Sequence, residues 1–251
     1  MNDSNPSKAT YSLTIGHLYP ELLNLYGDRG NILCMEQRCR WRGIEAHTVG
    51  FRLNDNIDFS QLDIILIGGG SDREQLLVCN RLKEIRQDFA AYVENGGVVL
   101  AICGGYQLLG HHYKMGEETI EGLHLIDLTT ERGEGRLIGN LIIQSRQFAT
   151  PLVGFENHGG RTYLGQGLKP LGYVLYGNGN NGKDGGEGVL YKNLVGTYLH
   201  GPLLPKNPHL CDYLLSAALR NRYGDSAGEL APLDDKEELA ANASIVDRFI
   251  K

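Results

Sequence analysis

The chain has 251 residues, 34 of them glycine, yet with 41% hydrophobic residues, only 8 prolines and no Gly-x-y period it is neither collagen-like nor disordered. Its net charge is −6 (24 Lys and Arg against 30 Asp and Glu), with no basic stripe, so no nucleic-acid partner is expected. No apolar run reaches the roughly 18 residues of a membrane span, the first ten residues lack a secretory core, and five scattered cysteines without a C-x-x-C pair predict no disulfide framework; a reducing, cytoplasmic setting is expected.

Residues 1–10 read as a polar leader. Ser12 to Leu18 is a first strand, Asn31 to Arg42 a helix, and Ala46 to Phe51 a weaker strand. Asp63 to Ile67 runs into Gly68-Gly69-Gly70, the pattern of a buried parallel strand whose carboxyl end feeds a loop. Arg73 to Glu94 reads as one helix, stopped by Asn95-Gly96-Gly97. Val98 to Ile102 is a second buried strand, ending at Cys103-Gly104-Gly105 before Tyr106 to Gly110 resumes as helix. This alternation predicts a mostly parallel sheet with helices on both faces. Short strands are expected over 123–128, 137–143, 152–155, 173–176, 188–191 and 195–199, as antiparallel additions or a meander beside the sheet. His209 to Tyr223 is an amphipathic helix. One domain over 11–224, followed by an acidic tail or helix over 225–251, is the expected organisation.

Cys103 stands where a buried strand turns at once into a helix, among the small residues Ala101, Gly104 and Gly105. That is the spacing of a nucleophile elbow with cysteine in place of serine. A helix N-terminus there would favour a thiolate. The Gly104 amide could donate to an oxyanion, with a second donor from the Gly68–Gly70 loop. Cys34, Cys39, Cys79 and Cys211 lack a glycine elbow and read as structural. A cysteine nucleophile needs a nearby imidazole. His200, at a strand end before Gly201-Pro202, and His158, in the polar run Phe155 to Arg161, both fit by spacing. No metal site is expected, because the loop histidines lack a ligand spacing and no cysteine cluster supports zinc.

In order, Gly68-Gly69-Gly70, Ala101 to Gln107, Gly154 to Gly160 and Gly196 to Gly201 resemble the motifs of class I (triad-type) glutamine amidotransferases, in the cobyric acid synthase-like branch. Within that branch, the runs Leu23 to Asn31, Gly68 to Gln75 and Phe155 to Tyr163 look like the glutaminase subunits of lipid II isoglutaminyl synthases, and no G-x-x-x-x-G-K-[ST] phosphate loop occurs. The resemblance implies a flavodoxin-like amidotransferase fold, L-glutamine as substrate, Cys103 as nucleophile and His200 as base. It also implies an oxyanion hole from Gly69 or Gly70 with Gly104, and Arg136 as the anchor of the glutamine carboxylate. Gln107, Asn157 and His158 are further substrate-loop candidates. It implies no cofactor on this chain. ATP and any metal would lie on a MurT-like, Mur-ligase-like partner that amidates the D-glutamate α-carboxylate of the lipid II stem peptide.

One departure stands out: most triad enzymes place a Glu two residues after the histidine, and this chain has Pro202. Another acid must orient His200, and the partner subunit is the expected source. Competing expectations are a glutaminase for another acceptor such as a cobyrinic acid amidation system, a different cysteine hydrolase, or a binding module with an inert cysteine.

Overall fold

The computed structural model describes residues 11–115 and 118–250; the expected leader lies outside the described residues. In chain order the elements are β1 (Ser12–Leu18), α1 (Arg29–Trp41), β2 (Glu45–Phe51), β3 (Ile64–Ile67), α2 (Asp72–Glu84), α3 (Arg86–Glu94), β4 (Val98–Ile102) and α4 (Gly104–Leu108). The second half adds β5 (His112–Met115), β6 (Glu118–Glu121), β7 (Leu128–Gln144), β8 (Leu152–Leu164), β9 (Gly172–Tyr176), β10 (Gly186–Glu187), β11 (Val189–Tyr191), β12 (Leu194–Thr197), α5 (Pro208–Tyr223) and α6 (Lys236–Phe249).

The first sheet has the order β11-β12-β4-β3-β1-β2, parallel throughout except for β11 at one edge. Every residue of β3 and β4 is fully buried, which is why these strands are unbroken apolar runs. Alternate residues face opposite cores. Ile64 and Leu66 pack with α1 and α5, whereas Ile65 and Ile67 pack with α2 and α3. Burying each such side chain contributes about 1.5–3 kcal/mol, so this layered arrangement holds the strand ends rigidly. The ends are in register: Ile67 pairs with Ala101, and Thr197 pairs with Ile102. The turns after β3, β4 and β12 therefore leave the sheet along one edge.

The second sheet is a separate, mainly antiparallel layer in the order β10-β9-β7-β5-β6, with β8 paired along β7. The expected strand over 123–128 does not form. Its amides donate instead to carbonyls at the end of α4, Leu123 to Leu108 at 2.8 Å and Leu125 to Leu109 at 2.9 Å, so the segment is a seat for that helix. The expected single helix over 73–94 breaks at Ile85, whose φ of −113° and ψ of 18° leave the helical region. The break lets α3 place Phe89 flat on Phe59, with ring centroids 5.2 Å apart.

The segment after residue 224 packs on the domain. Arg38 in α1 is buried between Asp212 and Asp235, and Asn242 of α6 donates to the Pro151 and Lys206 carbonyls. Among the described residues no helix is long and apolar enough to cross a membrane.

Candidate active site

Cys103 follows β4 directly and adopts φ 52° and ψ −107°. A non-glycine residue pays on the order of 1–2 kcal/mol in that left-handed region, so the surrounding structure must impose it. The ladder supplies the constraint: the Cys103 amide donates to the Thr197 carbonyl at 2.9 Å, and Gln107 N–H returns to the Cys103 carbonyl at 3.0 Å. The glycines beside it are there for space. A Cβ on Gly104 would run into the Gln75 side-chain amide, and one on Gly105 would come 2.6 Å from the Ile67 carbonyl oxygen.

Burial pushes the Cys103 thiol up to about 12, and the nearby Asp28 carboxyl pushes the same way; the Gly104 amide and Arg136 oppose them. This opposes the stabilisation that a helix N-terminus would give a thiolate. α4 has five residues, and its amino end does not outweigh desolvation of the sulfur.

His200 leaves the end of β12, fully buried. Its backbone pairs with Phe155 of β8: the His200 amide donates at 2.8 Å, and Phe155 N–H returns to the His200 carbonyl at 3.3 Å. Gly69 brings it and the thiol together. A Cβ on Gly69 would lie 3.7 Å from both Cys103 Sγ and His200 Cε1. Burial lowers the imidazole to about 3, with the charges of His158 and Arg136 adding to the effect. Desolvation thus disfavours the charged form of both groups.

The run from Phe155 to Arg161 is not a loop. It is part of β8, paired with β7, and it places His158 against the sheet. His158 Nδ1 faces the Gly160 carbonyl at 2.9 Å, and Nε2 faces Glu156 Oε2 at 3.3 Å. Its ring lies on Tyr198 with centroids 3.6 Å apart. With both nitrogens engaged, His158 is a wall of the site. Tyr198 accepts from Gln107 Nε2 at 3.0 Å and bonds Thr162 Oγ1 at 2.6 Å, so Gln107 is tied to that wall.

Arg136 sits where β7 bulges away from β8, in the register shift between Arg132 and Leu137. Its Nε donates to Asn157 Oδ1 and its Nη2 to the Asn157 carbonyl, each at 2.7 Å. Gly70, Gln75, Cys103, Arg132, Arg136 and His158 line one cavity, with Asp72 and Lys114 among the other residues around it. Asp72 is the only carboxylate in that lining among the described residues. Among the described residues no three His, Cys, Asp or Glu side chains are placed to hold a metal ion.

A half-buried elbow cysteine that shares a cavity with a guanidinium, with a buried histidine brought close to it at Gly69, suits attack on the side-chain amide of an amino acid. Residues 14–208 match the CobB/CobQ-like glutamine amidotransferase domain. The chain belongs to that family. This amidotransferase is 45% identical over 239 residues, 95% of its length and 96% of the relative's, to the lipid II isoglutaminyl synthase (glutamine-hydrolyzing) subunit GatD of Staphylococcus aureus. It is 44% identical to the subunit of the same name from Streptococcus pneumoniae, covering 85% of this chain and 83% of that one. A cobyric acid synthase from Listeria innocua is 30% identical over 57% of this chain and 29% of its own length. A solved glutamine amidotransferase superposes with a TM-score of 0.55 at 18% identity, over 81% of this chain and 98% of that one, which shows the shared fold.

The candidate residues Cys103, His200, Gly69, Gly70, Gly104, Arg136, Gln107, Asn157 and His158 thus lie around one strand edge and one bulge. The Gly69 amide is already engaged, donating to Asp28 Oδ2 at 3.0 Å. Sequence reasoning missed Gln75, Asp28, Tyr198 and Glu156. Gln75 follows the Ser71–Glu74 capping pair that opens α2, where the Ser71 amide meets Glu74 Oε2 at 2.8 Å, and this start signal could have placed it one turn in, over the elbow.

Proposed function

We propose that the chain is the glutaminase subunit of a lipid II isoglutaminyl synthase, and that it releases ammonia from L-glutamine for a Mur-ligase-like, MurT-like partner. The observation that carries this reading is the meeting of Cys103 and His200 at Gly69, in a chain alike along nearly its whole length to subunits of that name. Similarity favours these subunits over a cobyric acid synthase: 45% identity over 95% of this chain, against 30% over 57% for the Listeria innocua protein.

In this reading Arg136 takes the glutamine α-carboxylate through its fork, and Asp72 takes the ammonium group. Neutralising Arg136 relieves one of the charges that hold the His200 imidazole down, so substrate binding itself raises the base. Cys103 Sγ passes its proton to His200 and attacks the side-chain carbonyl carbon. The oxyanion is met by the amides of Gly104 and of Gly70, the latter because the Gly69 amide serves Asp28. His200 returns the proton to the departing nitrogen, ammonia leaves, and water cleaves the thioester to glutamate. Ammonia released into bulk water is protonated and loses its nucleophilicity, which makes direct transfer to a bound acceptor the purpose of a partner.

The partner also supplies the acid that orients His200. Pro202 occupies the usual place of that acid, and a Cβ on Gly30 would come 2.5 Å from the Pro202 ring, so the position is filled by packing. Burial holds the imidazole well below its ordinary value, and a carboxylate docked beside it would lift it. This chain needs no cofactor; ATP and any metal belong to the partner. The test is glutamine hydrolysis by the isolated chain and by the chain with the subunit that co-purifies with it. Faster hydrolysis in the complex supports the reading, and equal rates refute the supplied acid.

A further inference from the structure

The run Leu23 to Asn31 leads from the connection after β1 into the first turn of α1, and nothing in the catalytic cycle uses it. Asp28 stands at the N-cap position of α1, yet its side chain does not cap the helix. An aspartate there ordinarily accepts an amide of the first turn. Here it is fully buried and reaches across to the Gly69 amide, while Oδ1 has no hydrogen-bond partner. A buried carboxyl with one oxygen unsatisfied destabilises a fold. A residue that gives up a cap and takes on that penalty is explained by what it holds.

What it holds is the loop between the thiol and the imidazole. The loop is pinned at three points: Gly69 N–H to Asp28, Leu25 N–H to the Gly69 carbonyl at 3.0 Å, and Gly105 N–H to the Gly68 carbonyl at 3.1 Å. Two of its glycines are required by this same turn. A Cβ on Gly68 would come 2.6 Å from Asp28 Oδ2, and one on Gly70 would come 2.9 Å from the Leu22 carbonyl. The turn grips the histidine loop as well, through Gly30 against Pro202 and through Asn31 Oδ1, which accepts the Leu204 amide at 2.9 Å. One turn therefore braces the strand ends that carry the oxyanion loop and His200.

We propose that Asp28 is a positioning residue of the glutaminase site, and that its hydrogen bond to the Gly69 amide sets the path of the oxyanion loop past Cys103. Burial lifts the Asp28 carboxyl to about 7, so near neutrality it is partly uncharged and spares the adjacent sulfur a full negative neighbour. The inference rests on the glutaminase reading.

The experiment measures glutamine hydrolysis by Asp28→Ala and Asp28→Asn, in the chain purified with whatever subunit accompanies it, alongside alkylation of Cys103 by iodoacetamide. Alkylation needs the thiol but no oxyanion hole. Asp28→Ala is expected to lower kcat by about 100-fold, as a misplacement of about 1 Å does, with KM for glutamine and the alkylation rate within about twofold of wild type. Asp28→Asn retains an acceptor for the Gly69 amide and should keep kcat within about fivefold. If Asp28→Ala does not fold, Asp28→Ser, whose oxygen is too short to reach, replaces it. A wild-type kcat in the shortened variant, a loss expressed only in KM, a loss of alkylation, or an Asn variant as slow as Ala would each overturn the role assigned to the bond. A wild type inactive on glutamine would instead overturn the glutaminase reading, and this inference with it.

Discussion

His158 lies flat on Tyr198, with ring centroids 3.6 Å apart and planes within 6° of each other, while His200 Cε1 and Cys103 Sγ would each lie 3.7 Å from a Cβ on Gly69. The two histidines that spacing alone could not separate thus have different surroundings. One is locked into a polar wall, and the other comes close to the thiol at Gly69.

Substitution should separate them kinetically. His200→Ala is expected to lower kcat for glutamine by about 10²–10⁴, the range of a lost general base, with KM little changed. His158→Phe keeps the stack on Tyr198 but loses the Glu156 and Gly160 contacts, and should act mainly through KM and a lower Tm. Steady-state kinetics and a melting curve for each variant decide it. A His158 variant with normal KM and abolished kcat would reverse the assignment.

The glycines make a paired test of function against packing. Gly69→Ala places a methyl 3.2 Å from Cys103 Cβ, in the space between thiol and imidazole. It should remove most of kcat while Tm stays near wild type. Gly105→Ala meets the Ile67 carbonyl at 2.6 Å and should destabilise the fold by about 1–3 kcal/mol through overpacking. Chemical denaturation and glutamine turnover on the two proteins are the measurements; equal stability losses would refute the distinction.

For substrate recognition, Arg136→Lys should raise KM for glutamine by about tenfold or more, because a lysine cannot reproduce the two-pronged contact. Asp72→Asn should reduce the preference for glutamine over 4-carbamoylbutanoate, which lacks the α-ammonium group. Competition between the two compounds reads this out, and an unchanged preference would remove Asp72 from the site.

Glu187 gives a pH prediction. It is fully buried, with Oε1 accepting Thr197 Oγ1 and the Tyr198 amide, each at 2.7 Å. Burial lifts its carboxyl from 4.5 to about 7, with Glu156 adding to the rise and the bonds from Thr197 and Tyr198 opposing it. The folded state therefore holds this proton more tightly than the unfolded chain. Its contribution to stability is full below pH about 4.5 and is lost as pH rises through about 7. Glu187→Gln mimics the protonated form, so its Tm relative to wild type should climb across that window and then level. A flat difference would contradict the burial argument.

Much of the site was legible because strand ends announce themselves. Ile64 to Ile67 and Val98 to Ile102 are unbroken apolar runs stopped by glycine, and both emerge at the same edge. What stayed hidden depended on contacts far apart in sequence. Asp28 looks like an ordinary helix cap, and only the fold sends its side chain to Gly69, a separation of 41 residues. The polar run from Phe155 to Arg161 looks like a loop, because its partner β7 is itself polar and bulged near Arg136. At Cys103 two local effects oppose each other: the helix end favours a thiolate, and desolvation pushes the thiol up.

The central claim is that Cys103 cuts glutamine and that its nitrogen reaches lipid II within a complex. Glutamine carrying ¹⁵N in its side-chain amide, with ATP and lipid II, should give ¹⁵N-labelled D-isoglutamine in the stem peptide when the chain and its co-purified partner are supplied. Cys103→Ala in the same complex should give none, with amidation restored by ammonium salt. Transfer of ¹⁵N from glutamine by the Cys103→Ala complex, or labelled ammonia from the wild type with no amidated lipid II, would contradict the account.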